Sequence, residues 1–276
     1  MPFDERPLRI APRRRFGGPD WAMNSATPAN EFTLRIRFHG DLSYFLGSGA
    51  APEPVLEKRL REKTSVKDVI ESCGVPHTEV DLILLNGDLV GFAHQLLANG
   101  EIDVFPVAAA SELFPAHRLQ QRRLTAFVAD GHLGKLARDL RLLGIDVRYD
   151  NRATDSQLLT IAITEHRALL TRDRHLLMHA VLQHGYCPHS HLHEEQTLEV
   201  VRRFDLAEFL APYTRCLQCN GLLRRVAKAD VLDQLEPLTR IYYEDFRRCT
   251  ECGKVYWPGS HFAKLQARIE RIAARQ

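Results

Sequence analysis

Thr125-Ala-Phe-Val-Ala-Asp130, Gly131-His-Leu-Gly-Lys-Leu-Ala-Arg-Asp-Leu-Arg-Leu-Leu-Gly144, Ile145-Asp-Val-Arg-Tyr149 and Ala168-Leu-Leu-Thr-Arg-Asp173 decide the fold. The first segment is a short apolar run ending in an aspartate. The second has helical spacing, with Leu133, Leu136, Ala137, Leu140 and Leu143 on one face. A second strand follows, then a helix introduced by Thr154-Asp155, then a third strand that ends before Asp173. Strands alternating with helices imply βαβ units and a parallel sheet. In such a sheet the functional crevice lies beyond the carboxyl ends of the strands. Asp130, Asp155 and Asp173 would share that edge.

Carboxylate oxygens suit hard divalent cations, and several are needed to hold one. Asp130, Asp155 and Asp173 are therefore candidate ligands for magnesium or manganese. A bound ion there would neutralise a phosphodiester and activate water. Each aspartate also has a structural reading, because each precedes a helix and aspartate is a favoured cap. Thr154 and Gln157 have the spacing of a capping box, with Asp155 in the favoured first turn. Lys135, Arg138 and Arg141, spaced by three, are read on the polar face of the first helix, and Arg172 and Arg174 flank Asp173. Such residues contact phosphates, or simply make a solvated face.

Working outward toward the N-terminus, Phe32, Leu34, Ile36 and Phe38 alternate with polar residues, as in a half-buried strand. Thr64-Ser65 caps a helix beginning at Val66. Asp81 to Leu85 runs into the hairpin turn Asn86-Gly87, and Glu101 to Pro106 is a further strand. This order fits a β-grasp over residues 31–108. The turn and Asp103-Val-Phe-Pro-Val107 resemble the ubiquitin-like sulfur carriers. Those carriers act through a free C-terminal Gly-Gly, whereas this chain continues through Val107-Ala-Ala-Ala110. A scaffold or protein-recognition role is expected instead. Residues 1–30 read as a disordered extension and 109–124 as a linker.

Toward the C-terminus, Cys216-Leu-Gln-Cys219 and Cys249-Thr-Glu-Cys252 each set two thiols one turn apart. Together they supply the four sulfur ligands of a closed, structural zinc site. A zinc ribbon is expected over 212–265, with an insertion between Val226 and Phe246, and a basic tail over 266–276. Lys254, Trp257 and His261 are candidates for nucleic-acid contact, although an aromatic here also suits the ribbon's own core. His184, Cys187, His189, His191 and His193 crowd one loop, which reads as incidental or as a transition-metal site.

The motifs Asp130-Gly-His-Leu-Gly-Lys-Leu-Ala-Arg138, Leu140-Arg-Leu-Leu-Gly-Ile-Asp-Val147, Asp155-x-x-Leu-Leu159 and Leu169-Leu-Thr-Arg-Asp173 resemble the Mut-seven C-terminal RNase domain family. The resemblance spans about residues 32–265. It implies a PIN-like α/β/α nuclease domain at 125–211, a ubiquitin-like module before it and a zinc ribbon after it. It also implies metal-dependent cleavage of RNA, with Asp130, Asp155 and Asp173 at the family's acidic positions. PIN-type nucleases often carry a fourth acid further on, where this chain reads His191-Leu-His-Glu-Glu195.

Composition adds limits. A hydrophobic share of 45% with 26% charged residues is that of a globular protein, and a net charge of +2 does not by itself demand a polyanion. No apolar run reaches the roughly 18 residues of a membrane span, and free C-x-x-C pairs suit a reducing compartment. A cytoplasmic protein is expected. The rivals to a ribonuclease are a non-catalytic RNA-binding adaptor and a ubiquitin-like interaction scaffold.

Overall fold

A computed structural model describes residues 31–47, 54–107, 114, 116–259 and 262–274. The expected extension at 1–30 lies outside them.

Strand β1 (Phe32–Phe38) buries its alternate residues Leu34, Ile36 and Phe38. It pairs antiparallel with β2 (Val55–Leu60). A short strand β3 (Thr64–Ser65) leads into helix α1 (Val66–Ser72), where the Ser65 side chain accepts from the Asp68 amide as an N-cap. Strands β4 (Val80–Leu85) and β5 (Asp88–Leu89) meet at Asn86 and Gly87, whose φ values of 54° and 91° are those a tight hairpin turn requires. Strand β6 (Gln95–Leu96) pairs with β3, and β7 (Gly100–Pro106) runs parallel to β1. The sheet order β2-β1-β7-β4-β5 is a β-grasp.

The next unit alternates as the sequence implies. Strand β8 (Ala126–Ala129), helix α2 (Gly134–Leu142), β9 (Asp146–Tyr149), α3 (Asp155–Thr164), β10 (Ala168–Leu170), α4 (Arg174–Leu177), β11 (Gly185–Tyr186) and α5 (His193–Arg203) follow one another. The four strands are parallel, in the order β11-β10-β8-β9, as in a PIN-like domain. Strand alternation sends Phe127, Ala129, Ala168 and Leu170 to one face, against Leu136 and Leu140 of α2 and Val200 and Val201 of α5. Val128 and Leu169 go to the other face, against Leu158 and Ala162 of α3. That second core does not stop at the domain edge. It runs on into Leu34, Ile36, Phe38, Phe45 and Val75 of the β-grasp.

Polar groups stitch the same seam. His77 Nε2 donates to Leu182 O (2.8 Å), and the Cys187 amide donates to Glu79 Oε1 (2.7 Å). Arg203 Nη2 donates to Thr78 O (3.0 Å). The expected linker is not a free tether where it is described. Arg118 and the Gln120 amide both bind the buried Asp81 carboxylate, at 2.6 and 2.7 Å, and the Leu119 amide donates to Asp81 O. Those groups replace water around a buried charge.

The ribbon consists of β12 (Leu223–Val226), α6 (Pro237–Tyr242) in the insertion, β13 (Phe246–Cys249) and β14 (Val255–Tyr256), an antiparallel sheet over Val231, Leu235 and Phe246. The basic tail, which reads as a helix from Phe262, is helix α7 (Phe262–Ala274) where it is described. Its Ile269 and Ile272 are buried in the core beneath α2 and α5. Its Arg268 donates to Asp139 Oδ1 at 2.8 Å. No helix of the described residues is long and apolar enough to cross a membrane.

Burial at the seam pushes the Glu79 carboxyl up to about 8, against the pull of Arg203. The folded protein therefore holds a proton there that the unfolded chain releases near the ordinary value of 4.5. Stability from this group is complete below the unfolded value and is lost as pH rises through about 8. Glu79→Gln should flatten the fall in melting temperature between about pH 5 and about pH 9. A variant with the wild-type pH slope would show that Glu79 is ionised in the folded protein.

Candidate active site and metal centre

Parallel strands β8, β9 and β10 deliver their following residues to one edge. Asp130 comes straight after β8, and its amide donates to Leu170 O at 3.0 Å. Its Oδ2 accepts from Thr171 Oγ1 at 2.8 Å. Thr171 is buried, follows β10, and its Oγ1 in turn accepts from the Asp173 amide at 3.0 Å. One hydroxyl thus ties Asp130 to the Asp173 backbone. Within Leu170-Thr-Arg-Asp173 the sequence marks Thr171 only as the residue after a strand, because its partner Asp130 is 41 residues away.

Asp173 also does the capping work that its position before α4 suggests. Its Oδ1 accepts from the amides of His175 (2.8 Å) and Leu176 (3.3 Å). Asp155 is different. The cap of α3 is the reciprocal Thr154–Gln157 box, which leaves the exposed Asp155 carboxylate without a capping task. Among the described residues, Asp130 Oδ1, Asp173 Oδ2 and both Asp155 oxygens make no hydrogen bond. Asp130 and Asp173 meet through Thr171, but among the described residues the three carboxylates do not converge into a group able to hold an ion as they stand. Among the described residues that description fits the four cysteines.

The basic residues divide. Lys135 and Arg138 are exposed on α2. Arg141 is not on that face. It is buried, with Nε and Nη2 donating to Val147 O (3.0 and 2.8 Å) and Nη1 donating to Gln218 O (2.9 Å). Arg174 is half-buried and also engaged within the fold. It donates to Phe45 O at 2.6 Å and lies over the Tyr44 and Phe45 rings, bolting the β-grasp to α4. Arg172 Nη1 lies 3.0 Å from His191 Nδ1. His261 lies outside the described residues. Glu194 forms ion pairs with Arg268 and Arg271.

The histidine-rich loop is dispersed. His189 stacks on Tyr44 with centroids 4.1 Å apart, and burial holds its pKa below the ordinary value. His193 Nδ1 lies 2.7 Å from Asp139 Oδ2, and burial pushes the Cys187 thiol up to about 12. These residues form no ion-holding group among the described residues.

The cysteines do converge. Cys216, Cys219, Cys249 and Cys252 present sulfurs all within 4.8 Å of one another. The Cys216–Cys252 and Cys219–Cys249 pairs stand at 3.7 and 3.4 Å. Tetrahedral sulfur ligation at about 2.3 Å requires sulfur separations of about 3.8 Å, so the set fits a closed four-sulfur site. Burial opposes ionisation of Cys216, but bonds from the Tyr256 hydroxyl and the Cys219 and Gln218 amides bring it down to about 6. Tyr256 Oη lies 3.1 Å from Cys216 Sγ and also accepts from the Leu217 amide, so this aromatic serves the ribbon itself. In the knuckles, positive φ falls at Asn220 (73°) and Gly253 (72°). Gly221 is needed for room instead, since a Cβ there would meet Glu251 Cγ at 2.5 Å and Cys249 Sγ at 2.8 Å.

The first knuckle is also docked onto the nuclease-like sheet. Strand β9 is an edge, and its Val147 amide donates to Asn220 Oδ1 (3.1 Å) while Val147 O takes Arg141. Asn220 Nδ2 and Arg215 both reach Asp146, at 2.8 and 3.2 Å.

Comparison with known proteins agrees with this architecture. The Mut7-C RNAse domain profile matches residues 125–269, and the Mut7-C ubiquitin profile matches residues 32–112. No curated protein matches the chain. The first match takes in more than half of the chain and includes the parallel sheet, the four cysteines and most of α7, so the chain belongs to the Mut7-C RNAse domain family, with the family's ubiquitin-like module in front.

Proposed function

We propose that this protein is a divalent-metal-dependent ribonuclease acting at Asp130, Asp155 and Asp173, with a structural zinc held by Cys216, Cys219, Cys249 and Cys252. The observation that carries it is the Asp130–Thr171–Asp173 connection on the carboxyl edge of the parallel sheet, inside a Mut7-C RNAse domain. Each of the three aspartates keeps at least one oxygen without a hydrogen bond among the described residues, and carboxylate oxygens are the donors that magnesium and manganese prefer. A bound ion would supply charge neutralisation at the phosphodiester and a more acidic water. Thr171 fixes the Asp130 carboxylate. Lys135, Arg138 and Arg172 would meet the phosphates around the edge. The ribbon would add RNA contacts through Lys254 and Trp257. A β-grasp fused to the same core is, on this reading, part of the nuclease body that keeps its outer surface for a protein partner.

A second reading has an observation of its own. The three carboxylates do not close into an ion-holding group, and Asp173 spends one oxygen on the α4 cap. That favours an RNA-binding adaptor without turnover. Cleavage of single-stranded and structured RNA, with magnesium, with manganese and with neither, separates the two. The ribonuclease reading predicts metal-dependent cutting that Asp130→Asn and Asp173→Asn each reduce by a hundredfold or more, on the order seen when a charge-stabilising group is removed. Asparagine still caps a helix, so Asp173→Asn should leave the melting temperature nearly unchanged. RNA binding with no metal-dependent cutting by the wild type would select the adaptor.

The metal centre makes a separate prediction. Purified protein should carry one zinc per chain, and Cys249→Ser should lose it and lower the melting temperature. The docked knuckle should then release Val147 and Asp146, seen as faster hydrogen exchange along β9. A chain with no bound zinc, or a variant that retains it, would remove the metal from the account.

A further inference from the structure

Between the ribbon and the start of α7 lies a cleft of about 590 Å³, within the usual range for sites that enclose a small ligand. It stands at the far end of α2 from Asp130: Leu142, the last residue of that helix, lines it, whereas Asp130 precedes the first turn. The helix itself is about 13 Å long. The cleft is therefore distinct from the aspartate edge.

Its wall is aromatic. Tyr213 stacks on Phe262 with centroids 5.1 Å apart, and Trp257 and Phe262 are each 38% exposed within it. Two cations at the wall have no carboxylate partner among the described residues. Lys254 donates to the neutral Gln218 side chain (3.3 Å) and lies over the Tyr256 ring, and Arg247 donates to Tyr213 O (2.6 Å). Asp245 is the carboxylate at the rim, 3.8 Å from Arg225.

The adjoining sheet is more unusual still. In the β12–β13 register Arg224 stands opposite Arg248, and Arg225 opposite Arg247. Like charges directly across a ladder are destabilising. Successive residues of a strand face opposite sides of the sheet, so Arg225 and Arg247 share the face of the cleft, which Arg247 lines, and Arg224 and Arg248 share the other face. A phosphate at the cleft adds negative charge beside Arg225 and Arg247, where Asp245 stands 3.8 Å from Arg225. Aromatic faces beside unpaired cations are the arrangement that takes an unstacked base together with its phosphate. A cleft of this size admits one base and not a duplex.

We infer that this cleft captures one unpaired nucleotide of a single-stranded RNA, its base on Trp257 and Phe262 and its phosphates on Lys254, Arg247 and the facing Arg225. The inference rests on the reading of the chain as an RNA enzyme. It adds a second, non-catalytic grip that selects single strands.

The chain has two tryptophans, Trp21 and Trp257. In a full-length Trp21→Phe protein, emission therefore reports on Trp257 alone. A short unstructured oligoribonucleotide and a blunt duplex of the same sequence would be titrated with no magnesium or manganese added. The single strand should quench the emission and the duplex should not. Trp257→Ala should weaken binding of the single strand by about tenfold or more, and Trp257→Phe should restore most of it, which a merely structural loss would not do. Lys254→Gln with Arg225→Gln should weaken binding of the single strand and reduce its salt dependence. Equal quenching by the two RNAs would overturn the inference. So would wild-type affinity in Trp257→Ala that still cuts RNA, a result that leaves the ribonuclease intact. A chain that neither binds nor cuts RNA would overturn the proposed function, and the cleft with it.

Discussion

A parallel sheet of four short strands is exposed on both faces unless something covers each, and this requirement shapes the whole molecule. The longest of the four strands has four residues. Helices α2, α5 and α7 close one face, and α7 comes from beyond the ribbon to do so. Helices α3 and α4 only begin to close the other, and the β-grasp core completes it. The seam is sealed by groups that lose water on assembly and find partners there, among them His77, Glu79, Arg174 and Arg203. What the sequence arranges as three modules is built as one body.

The ribbon obeys the same logic at the sheet's edge. An unpaired edge strand invites wrong partners, and β9 is such an edge. Asn220 and Arg141 satisfy Val147 with side chains, and Asp146 collects Arg167, Arg215 and Asn220. Those contacts help draw Asp146 below the ordinary carboxylate range even though burial pushes the other way. The first cysteine knuckle is therefore coupled to the sheet that carries Asp130 and Asp173.

Local pattern carried most of the fold. The alternation in β1, the Asn86-Gly87 turn, the Thr154–Gln157 box and the apolar face of α2 each obey a rule that a short window contains. The cysteine pairs were readable because ligand spacing is local as well. Arg141 was misread for a geometric reason. Each step of three residues falls about 60° short of a full turn, so Arg141 lies about 120° around the helix from Lys135 and faces the ribbon. Arg174 was misread because its partners, the carbonyls of Tyr44 and Phe45, are 130 and 129 residues away. The same limit hides the docking of α7: its basic residues show in the sequence, but the buried partner of Arg268, Asp139, lies 129 residues away. For the candidate acidic site, the positions of Asp130 and Asp173 after their strands are legible in the sequence, but the Thr171 hydroxyl that joins them is not.

The central claim is that the aspartate edge takes up a divalent ion, and calorimetric titration of manganese into the zinc-loaded protein addresses it without relying on turnover. One manganese site should appear in the wild type and be lost in Asp130→Asn, with the zinc content and melting temperature of both proteins unchanged. Manganese uptake that is absent from the wild type, or identical in the variant, would contradict the account.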